Sequence, residues 1–227
     1  MGNRAEDEAE TMVILADLDA RLAPHGLVRI GQFALQAGEA ADKSLTSGIL
    51  IGNGPDGMWP AFRADVAACR TPPDRHPLNR WTRQVIGPIA VALGAAVAYP
   101  FDGPPYRPFV TWAKRTGQVH ASPLGLGIHH RFGLWLGLRA ALLVAEALPA
   151  DPAQPSPCDR CSGRPCLTTC PVGAFAADGY NAAACREHVA GPGNACRTAG
   201  CLARRACPVG HAYTPEQAAF HMAAFIG

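Results

Sequence analysis

The sequence predicts an α+β domain followed by a small, metal-held module, and three observations carry that prediction. Helical and strand-like apolar patterns alternate through the first 150 residues without the glycine fingerprint of a doubly wound sheet. Eight of the nine cysteines fall between Cys158 and Cys207. Separating the two regions is Asp151-Pro152-Ala153-Gln154-Pro155-Ser156-Pro157, a stiff, proline-rich boundary. The expected domains are therefore residues 1–150 and 151–227. A chain of 227 residues has room for one domain of ordinary size, roughly 100 to 150 residues, and an appendage. Residues 1–150 hold most of the apolar side chains, whereas 156–210 are rich in cysteine, glycine and proline. With so little to form a core, the second region must be held by its metal.

Within the first region, Met12, Leu15, Leu18 and Leu22 recur at helical spacing over residues 8–22, and Gly26 supplies a stop. Residues 27–35 and 48–51 read as strands, the former with partial alternation at Val28, Ile30, Gln32 and Ala34. Asp56 is placed to cap a helix through Ala67 that buries Met58, Phe62 and Val66. Pro77 opens a helix to Val97, kinked or broken near Pro88. Residues 99–108, with Asp102-Gly103-Pro104-Pro105, form a turn-rich loop, and 109–115 a short helix. Residues 133–147 read as the last core helix. The end of the chain, 213–227, reads as an amphipathic helix with Ala218, Met222 and Phe225 on one side, packed back on the main domain.

Several classes of function are disfavoured. The longest apolar stretch, residues 85–98, is about fourteen residues long and contains Gly87, Pro88 and Gly94. Spanning a bilayer takes roughly twenty. A second run, 134–148, is interrupted by Arg139 and Glu146. No membrane is expected, and reduced thiols without a signal segment point to the cytoplasm. The formal charge of +2 falls to about −2 once two clusters, each a net −2 with its thiolates, are counted. Such a balance gives no reason to expect nucleic acid. Arg204, Arg205 and neighbouring arginines read as a solvated face that screens the clusters or meets a partner.

The cysteines carry the strongest chemistry. Cys158, Cys161, Cys166 and Cys170-Pro171 follow the iron–sulfur run C-x2-C-x2-C-x3-C-P with two residues added to the middle gap. The lengthened gap, Ser162-Gly163-Arg164-Pro165, is turn-forming. Cys185 follows, then Cys196-x4-Cys201-x5-Cys207-Pro208, a looser second half. In such runs the cysteine before proline ligates the neighbouring cluster. One four-iron cluster then takes Cys158, Cys161, Cys166 and Cys207, and the other takes Cys170, Cys185, Cys196 and Cys201. Two other readings compete. Disulfides suit secreted domains, but the first eleven residues are acidic and lack the apolar core of a signal peptide. Zinc favours two C-x2-C pairs or histidine partners, and only one such pair occurs here. Cys69 stands apart as a buried or free thiol.

No phosphate loop, G-x-S-x-G elbow or H-E-x-x-H helix occurs, and Gly125-Leu126-Gly127 lacks the third glycine of a dinucleotide turn. Two histidine segments stand out. One is His76-Pro77-Leu78-Asn79-Arg80-Trp81; the other is Ile128-His129-His130-Arg131-Phe132-Gly133-Leu134-Trp135, with Arg139 beyond it. Polar and aromatic side chains beside glycines suit a large cofactor pocket. They equally suit helix caps and a packed core.

Residues 128–139 resemble the pocket segment of the cobalamin-processing methylmalonic aciduria and homocystinuria type C family, with its pattern Ile-His-x-Arg-Phe-Gly-x-Trp-x-x-x-Arg. His76-Pro77 and Gly94-Ala95-Ala96 through Tyr99 resemble further segments of that family. The cysteine order from Cys158 to Cys207 is similar to that of the epoxyqueuosine reductases and reductive dehalogenases, which join a cobalamin domain to a two-cluster ferredoxin module. The departures are the lengthened gaps, the missing counterpart of the reductases' catalytic acid, and the absence of a repeat domain for a tRNA substrate.

These resemblances imply a nitroreductase-like, cobalamin-binding domain with a C-terminal two-cluster ferredoxin domain. They imply cobalamin, with flavin as the alternative, contacted by His76, Asn79, Gly127, His129, His130, Phe132, Trp135 and Arg139. Arg139 would hold a carboxamide, a carboxylate or a co-substrate. The function implied is an oxidoreductase whose clusters deliver electrons to a corrinoid, for removal of its upper ligand or generation of its reduced form. Two alternatives are a ferredoxin-type electron carrier with a partner-docking domain, and a cobalamin-dependent reductase of an organic substrate. A redox partner protein is expected in each case.

Overall fold

The structure, a computed structural model, describes residues 4–54, 57–68, 76–176 and 179–226, with side chains within 12–225. Asp56, the expected cap, and Cys69, the lone thiol, lie outside the described residues. In chain order the elements are α1 (Arg4–Leu22), β1 (Leu27–Ala34), β2 (Ser47–Asn53), α2 (Met58–Ala67), α3 (Pro77–Ala92), β3 (Ala96–Ala98), α4 (Phe109–Arg115), β4 (Val119–Ala121), β5 (Gly127–His129) and β6 (Gly137–Val144). After these come α5 (Pro165–Thr168), β7 (Phe175–Ala176), β8 (Gly179–Tyr180), α6 (Ala182–Ala190), α7 (Ala195–Ala199), α8 (Leu202–Arg205) and α9 (Pro215–Ile226). The chain folds into two units. The first comprises Met1–Gln118 with Gly137–Ala153, and the second Val119–Leu136 with Gln154–Gly227. The chain thus returns from the second unit to the first at residue 137, which a single cut at residue 150 does not describe.

The first unit is built on an antiparallel sheet in the order β1-β2-β6-β3. All seven residues of β2 are buried, as a central strand covered on both faces requires. Phe33 of β1 stacks on Trp112 of α4 at 5.0 Å between ring centroids. Trp81 of α3 meets Phe62 of α2 edge-on at 5.9 Å. Arg115 clamps Glu39 with two bonds of 2.7 and 3.0 Å, and that pairing holds the Glu39 carboxyl below the usual range.

Several expectations are corrected here. Residues 133–147 do not form a helix; β6 is a strand that pairs β2 on one side and β3 on the other. Its consecutive buried residues Ala140–Leu143 are buried on both faces, a pattern that periodicity cannot tell from a helix segment. Arg139 is accordingly not a helical turn beyond Trp135 but the extra residue of a β-bulge, since Leu138 faces Gly52 and Ala140 faces Ile51.

The α3 helix ends at Ala92 rather than Val97. Gly94, at φ 62, lets the Ala95 N–H reach the Ala90 carbonyl and the Gly94 N–H the Val91 carbonyl, a Schellman stop. Pro88 does not break this helix because it lies on the exposed face, as does Gln84, whose carbonyl it cannot serve. In α2, Met58 and Phe62 are buried as expected, but Val66 is 38% exposed.

In the second unit, β4 and β5 form one hairpin and β7 and β8 another. The α9 helix, expected to pack on the main domain, packs on α6 and α7 of its own unit. Ala218 is buried there, while Met222 and Phe225 are half-buried. Among the described residues no helix is long and apolar enough to cross a membrane.

Candidate functional site

Short polar caps position the cysteines. The Ser156 hydroxyl accepts from the Cys158 N–H at 3.3 Å and starts the 3-10 turn Pro157–Arg160, after which Cys161 donates its N–H back to the Cys158 carbonyl. Asn181 accepts from the Ala184 N–H at 3.0 Å and opens α6, which carries Cys185. Asn194 accepts from the Arg197 N–H at 2.9 Å and opens α7, which carries Cys196. Its amide also donates to the carbonyls of His188 and Gly191, both at 2.7 Å, tying α6 to α7. Serine and asparagine are preferred caps because their side-chain oxygens satisfy orphan N–H groups. This signal is present in the sequence, two to four residues before the cysteines it places.

All eight cysteines from Cys158 to Cys207 are free thiols, and they fall into two groups. Cys158, Cys161, Cys166 and Cys207 line one pocket walled by Ile128 and Leu134. Burial raises the thiols of Cys158 and Cys166, and each also feels the charge of Cys161 and Cys207. In the other group, Cys196 feels Cys170 and Cys185. Cys201 feels Cys196, and Tyr180 feels Cys185, Cys201 and Cys170. Cys207, the last in sequence, therefore joins the earliest three rather than its chain neighbours. Burial again leads the upward shift of the Cys196 and Cys201 thiols.

The donors around the sulfurs show what these groups suit. Ala174 N–H donates to Cys170 Sγ at 3.3 Å. Backbone N–H groups of Leu202 serve Cys196, and those of Ala203 and Arg204 serve Cys201. Burial, with Cys185 nearby, raises the Tyr180 hydroxyl. In the first group, Ser156 and Leu167 N–H favour the thiolates of Cys158 and Cys166. Ser122, which lines the same pocket, has a buried hydroxyl without a protein partner. Among the described residues no three His, Cys, Asp or Glu side chains converge on a site for a single metal ion. Four thiols lining one pocket, as in the first group, fit a four-iron cluster bound by four cysteines, and donors to sulfur are what tune such clusters.

A histidine loop is fastened to the first group. His129, at the end of β5, exchanges two backbone bonds of 2.9 Å with Gly133. Its Nδ1 accepts the N–H groups of Arg131 and Phe132 at 3.1 and 3.2 Å. Nδ1 therefore keeps its lone pair, and the ring proton sits on Nε2. Burial, with His130, Arg131 and His120 nearby, pushes the His129 pKa down to about 3. The ring stacks on Phe132 at 4.5 Å and lies 4.3 Å from that of His130. Gly133 and Gly210 both have positive φ, at 60 and 75°. A side chain on Gly133 would strike the Val209 carbonyl, and one on Gly210 the Phe132 carbonyl. The loop after His129 thus lies directly on the tetrapeptide Cys207-Pro208-Val209-Gly210.

The residues expected to form a cofactor pocket divide between the units. Gly127, His129, His130, Phe132 and Trp135 belong to the second unit; His76, Asn79 and Arg139 belong to the first. His76 is exposed at the start of α3 and makes no side-chain cap bond. His130 is half-buried, with Nδ1 shut from solvent and without a protein partner. Trp135 is 2% exposed and packs on Tyr213 at 4.9 Å, so its ring serves the core. Arg204, read from sequence as solvated, is half-buried with its guanidinium 4.3 Å from the Trp135 ring. Burial pulls its pKa down, while Tyr213 and Cys201 push it up. Arg205 remains exposed.

The fold and site together define a mixed helix-and-sheet unit joined to a thiol-bearing unit. Among solved structures, the chain is similar to epoxyqueuosine reductase from Streptococcus thermophilus, at 15% identity and a TM-score of 0.51 over 96% of this chain and 70% of that one. It is also similar to CblC, a B12-trafficking protein of C. elegans and homologue of human MMACHC, at 13% identity and a TM-score of 0.45 over 67% of this chain and 75% of that one. At these identities the likeness is one of fold. No protein-family model and no curated protein matches the chain.

Proposed function

We propose that this chain is an iron–sulfur electron-transfer protein with two [4Fe-4S] clusters whose electrons serve a bound corrinoid, for reductive removal of its upper ligand or generation of its reduced form. The observation that carries the reading is the gathering of eight free thiols into two groups of four, the first lining one pocket and the second with the Ala174 N–H donating to Cys170 Sγ. Cys158, Cys161, Cys166 and Cys207 would hold one cluster, and Cys170, Cys185, Cys196 and Cys201 the other. Bound clusters supply single electrons at low potential. Ile128 and Leu134 wall the first thiol pocket with apolar surface, which limits water and so bears on potential. Held neutral by burial, and accepting two N–H groups at Nδ1, His129 fixes the loop that lies on Cys207–Gly210.

The corrinoid half of the reading is supported by the resemblance of residues 128–139 to the cobalamin-processing family and by the fold likeness to epoxyqueuosine reductase. Gly127, His129, His130 and Phe132 would meet the ligand from the second unit. Flavin is the other occupant that a nitroreductase-like fold suits. A second reading, a ferredoxin-type carrier with a docking domain, is favoured by the burial of Trp135 in the core of its own unit.

Anaerobic reconstitution with iron and sulfide, then titration with hydroxocobalamin, tests both halves. Iron should reach about eight atoms per chain, and the visible spectrum of the corrinoid should change on binding. A full iron complement with an unchanged corrinoid spectrum would leave the carrier reading standing alone. Yellow, extractable flavin in the protein as first purified would replace the corrinoid.

A further inference from the structure

Arg204 stands three residues after Cys201, the offset at which a C-x2-C run places its next cysteine. The fourth thiol of that group comes instead from Cys196 on α7, and position 204 carries a cation. Its Nη2 donates to the Leu134 carbonyl at 2.6 Å. The guanidinium lies 4.3 Å from the Trp135 ring and 5.7 Å from that of Tyr213. Its Nε is closed off without a partner. Among the described residues it makes no ion pair with a carboxylate, and Cys201, the residue that caps the start of α8, lies one helical turn before it.

A cation withdrawn from water in this way is costly unless negative charge compensates it. A four-iron cluster with its four thiolates supplies that charge, a net of about −2 when oxidised and about −3 after one-electron reduction. A fixed positive charge stabilises the more negative state. Arginine keeps its proton throughout.

We propose that Arg204 is the fixed counter-charge of the cluster held by Cys170, Cys185, Cys196 and Cys201, and that it raises this cluster's potential above its neighbour's. An electron entering the protein would then rest on the cluster beside Arg204. No bond forms or breaks: a one-electron donor is oxidised and the cluster gains the electron. The inference rests on the iron–sulfur reading above.

The test is a redox titration of the reconstituted full chain with dithionite, followed by electron paramagnetic resonance. Two resolved midpoints are expected. Arg204→Gln should lower the higher one by at least tenfold in its redox equilibrium constant, 59 mV for a one-electron couple, and leave the other in place. Arg204→Lys, which keeps the charge, should stay close to the unsubstituted chain. In Cys207→Ser the surviving cluster should be the one sensitive to Arg204. Unchanged midpoints in Arg204→Gln with full iron overturn the proposal. If Arg204→Gln loses its iron, the lysine variant decides: a retained cluster at an unshifted midpoint supports the counter-charge, whereas iron lost there too assigns Arg204 to packing and overturns it. Iron well below eight atoms in the unsubstituted chain overturns the cluster reading itself, whatever Arg204 does.

Discussion

The two units solve the problem of stability with different materials. In the first, β2 is buried along its whole length, and Trp81 and Trp112 are 1% and 0% exposed. Apolar burial at about 25 cal/mol per Å² is the driving force there. In the second, one core cluster is Leu124, Ile128, Leu134, Cys166 and Ala203, and packed against it are Cys158, Cys170, Cys201 and Cys207. The cysteines themselves make up much of that core. Its helices α5, α7 and α8 have only four or five residues, far below the length at which a helix stands by itself. A unit assembled from such pieces depends on its caps and on what its thiols hold.

Removing iron from the reconstituted protein should therefore give the largest separation between the units. Trp135 is the tryptophan of the second unit, while Trp59, Trp81 and Trp112 lie in the first. On chelation, Trp135 emission should shift to the red and helical signal should fall, while the first unit keeps its strand signal. Equal loss from both units would break the comparison.

Single thiols sharpen it next. Cys170→Ser should lose the group that also contains Cys185, Cys196 and Cys201, and Cys207→Ser the other. Each variant should retain about four of about eight irons. Iron analysis still giving about eight after either change would refute the division.

Packing changes follow in size. Trp112→Ala in the first unit should cost about 3–5 kcal/mol in urea unfolding, the usual range for a buried aromatic. In the second unit the corresponding weak point is backbone: Gly133→Ala should cost about 2 kcal/mol, from its left-handed conformation and the Val209 carbonyl in its way. A smaller loss for Trp112→Ala than for Gly133→Ala would reverse the argument.

Smallest near neutrality is a pH effect confined to the second unit. His129 has a folded pKa of about 3, against about 6.5 for the unfolded chain. Between these values the unfolded state takes up the proton and the folded state does not. The stability linked to His129 is thus full above pH ~6.5 and is lost as pH falls towards 3, at up to about 1.4 kcal/mol per pH unit. His129→Asn, whose side-chain oxygen can accept the same two N–H groups, should flatten this slope. An unaltered slope in that variant would assign it to other groups.

Legibility in the sequence followed the range of the interactions. The strands β1 and β2 and the short helix α4 were readable because their patterns are local. Gly94, which ends α3 in a Schellman stop, was passed over, because the apolar run beyond it suggested a helix to Val97. The run that became β6 was misread because a strand buried on both faces and a core helix look alike until a partner is known. Cysteine identities and their serine and asparagine caps stood in the sequence, whereas Arg204 looked like any surface arginine.

By itself, the sequence determined which side chains could bind metal and which turns would present them, since a cap or a positive-φ glycine acts within a few residues. Tertiary structure alone decided that residues 119–136 belong with the thiols, that Arg139 falls in the first unit and Trp135 in the second, and that Arg204 is drawn onto Trp135 and the Leu134 carbonyl. Those outcomes depend on which surfaces bury one another, and burial is a property of the folded chain rather than of any segment.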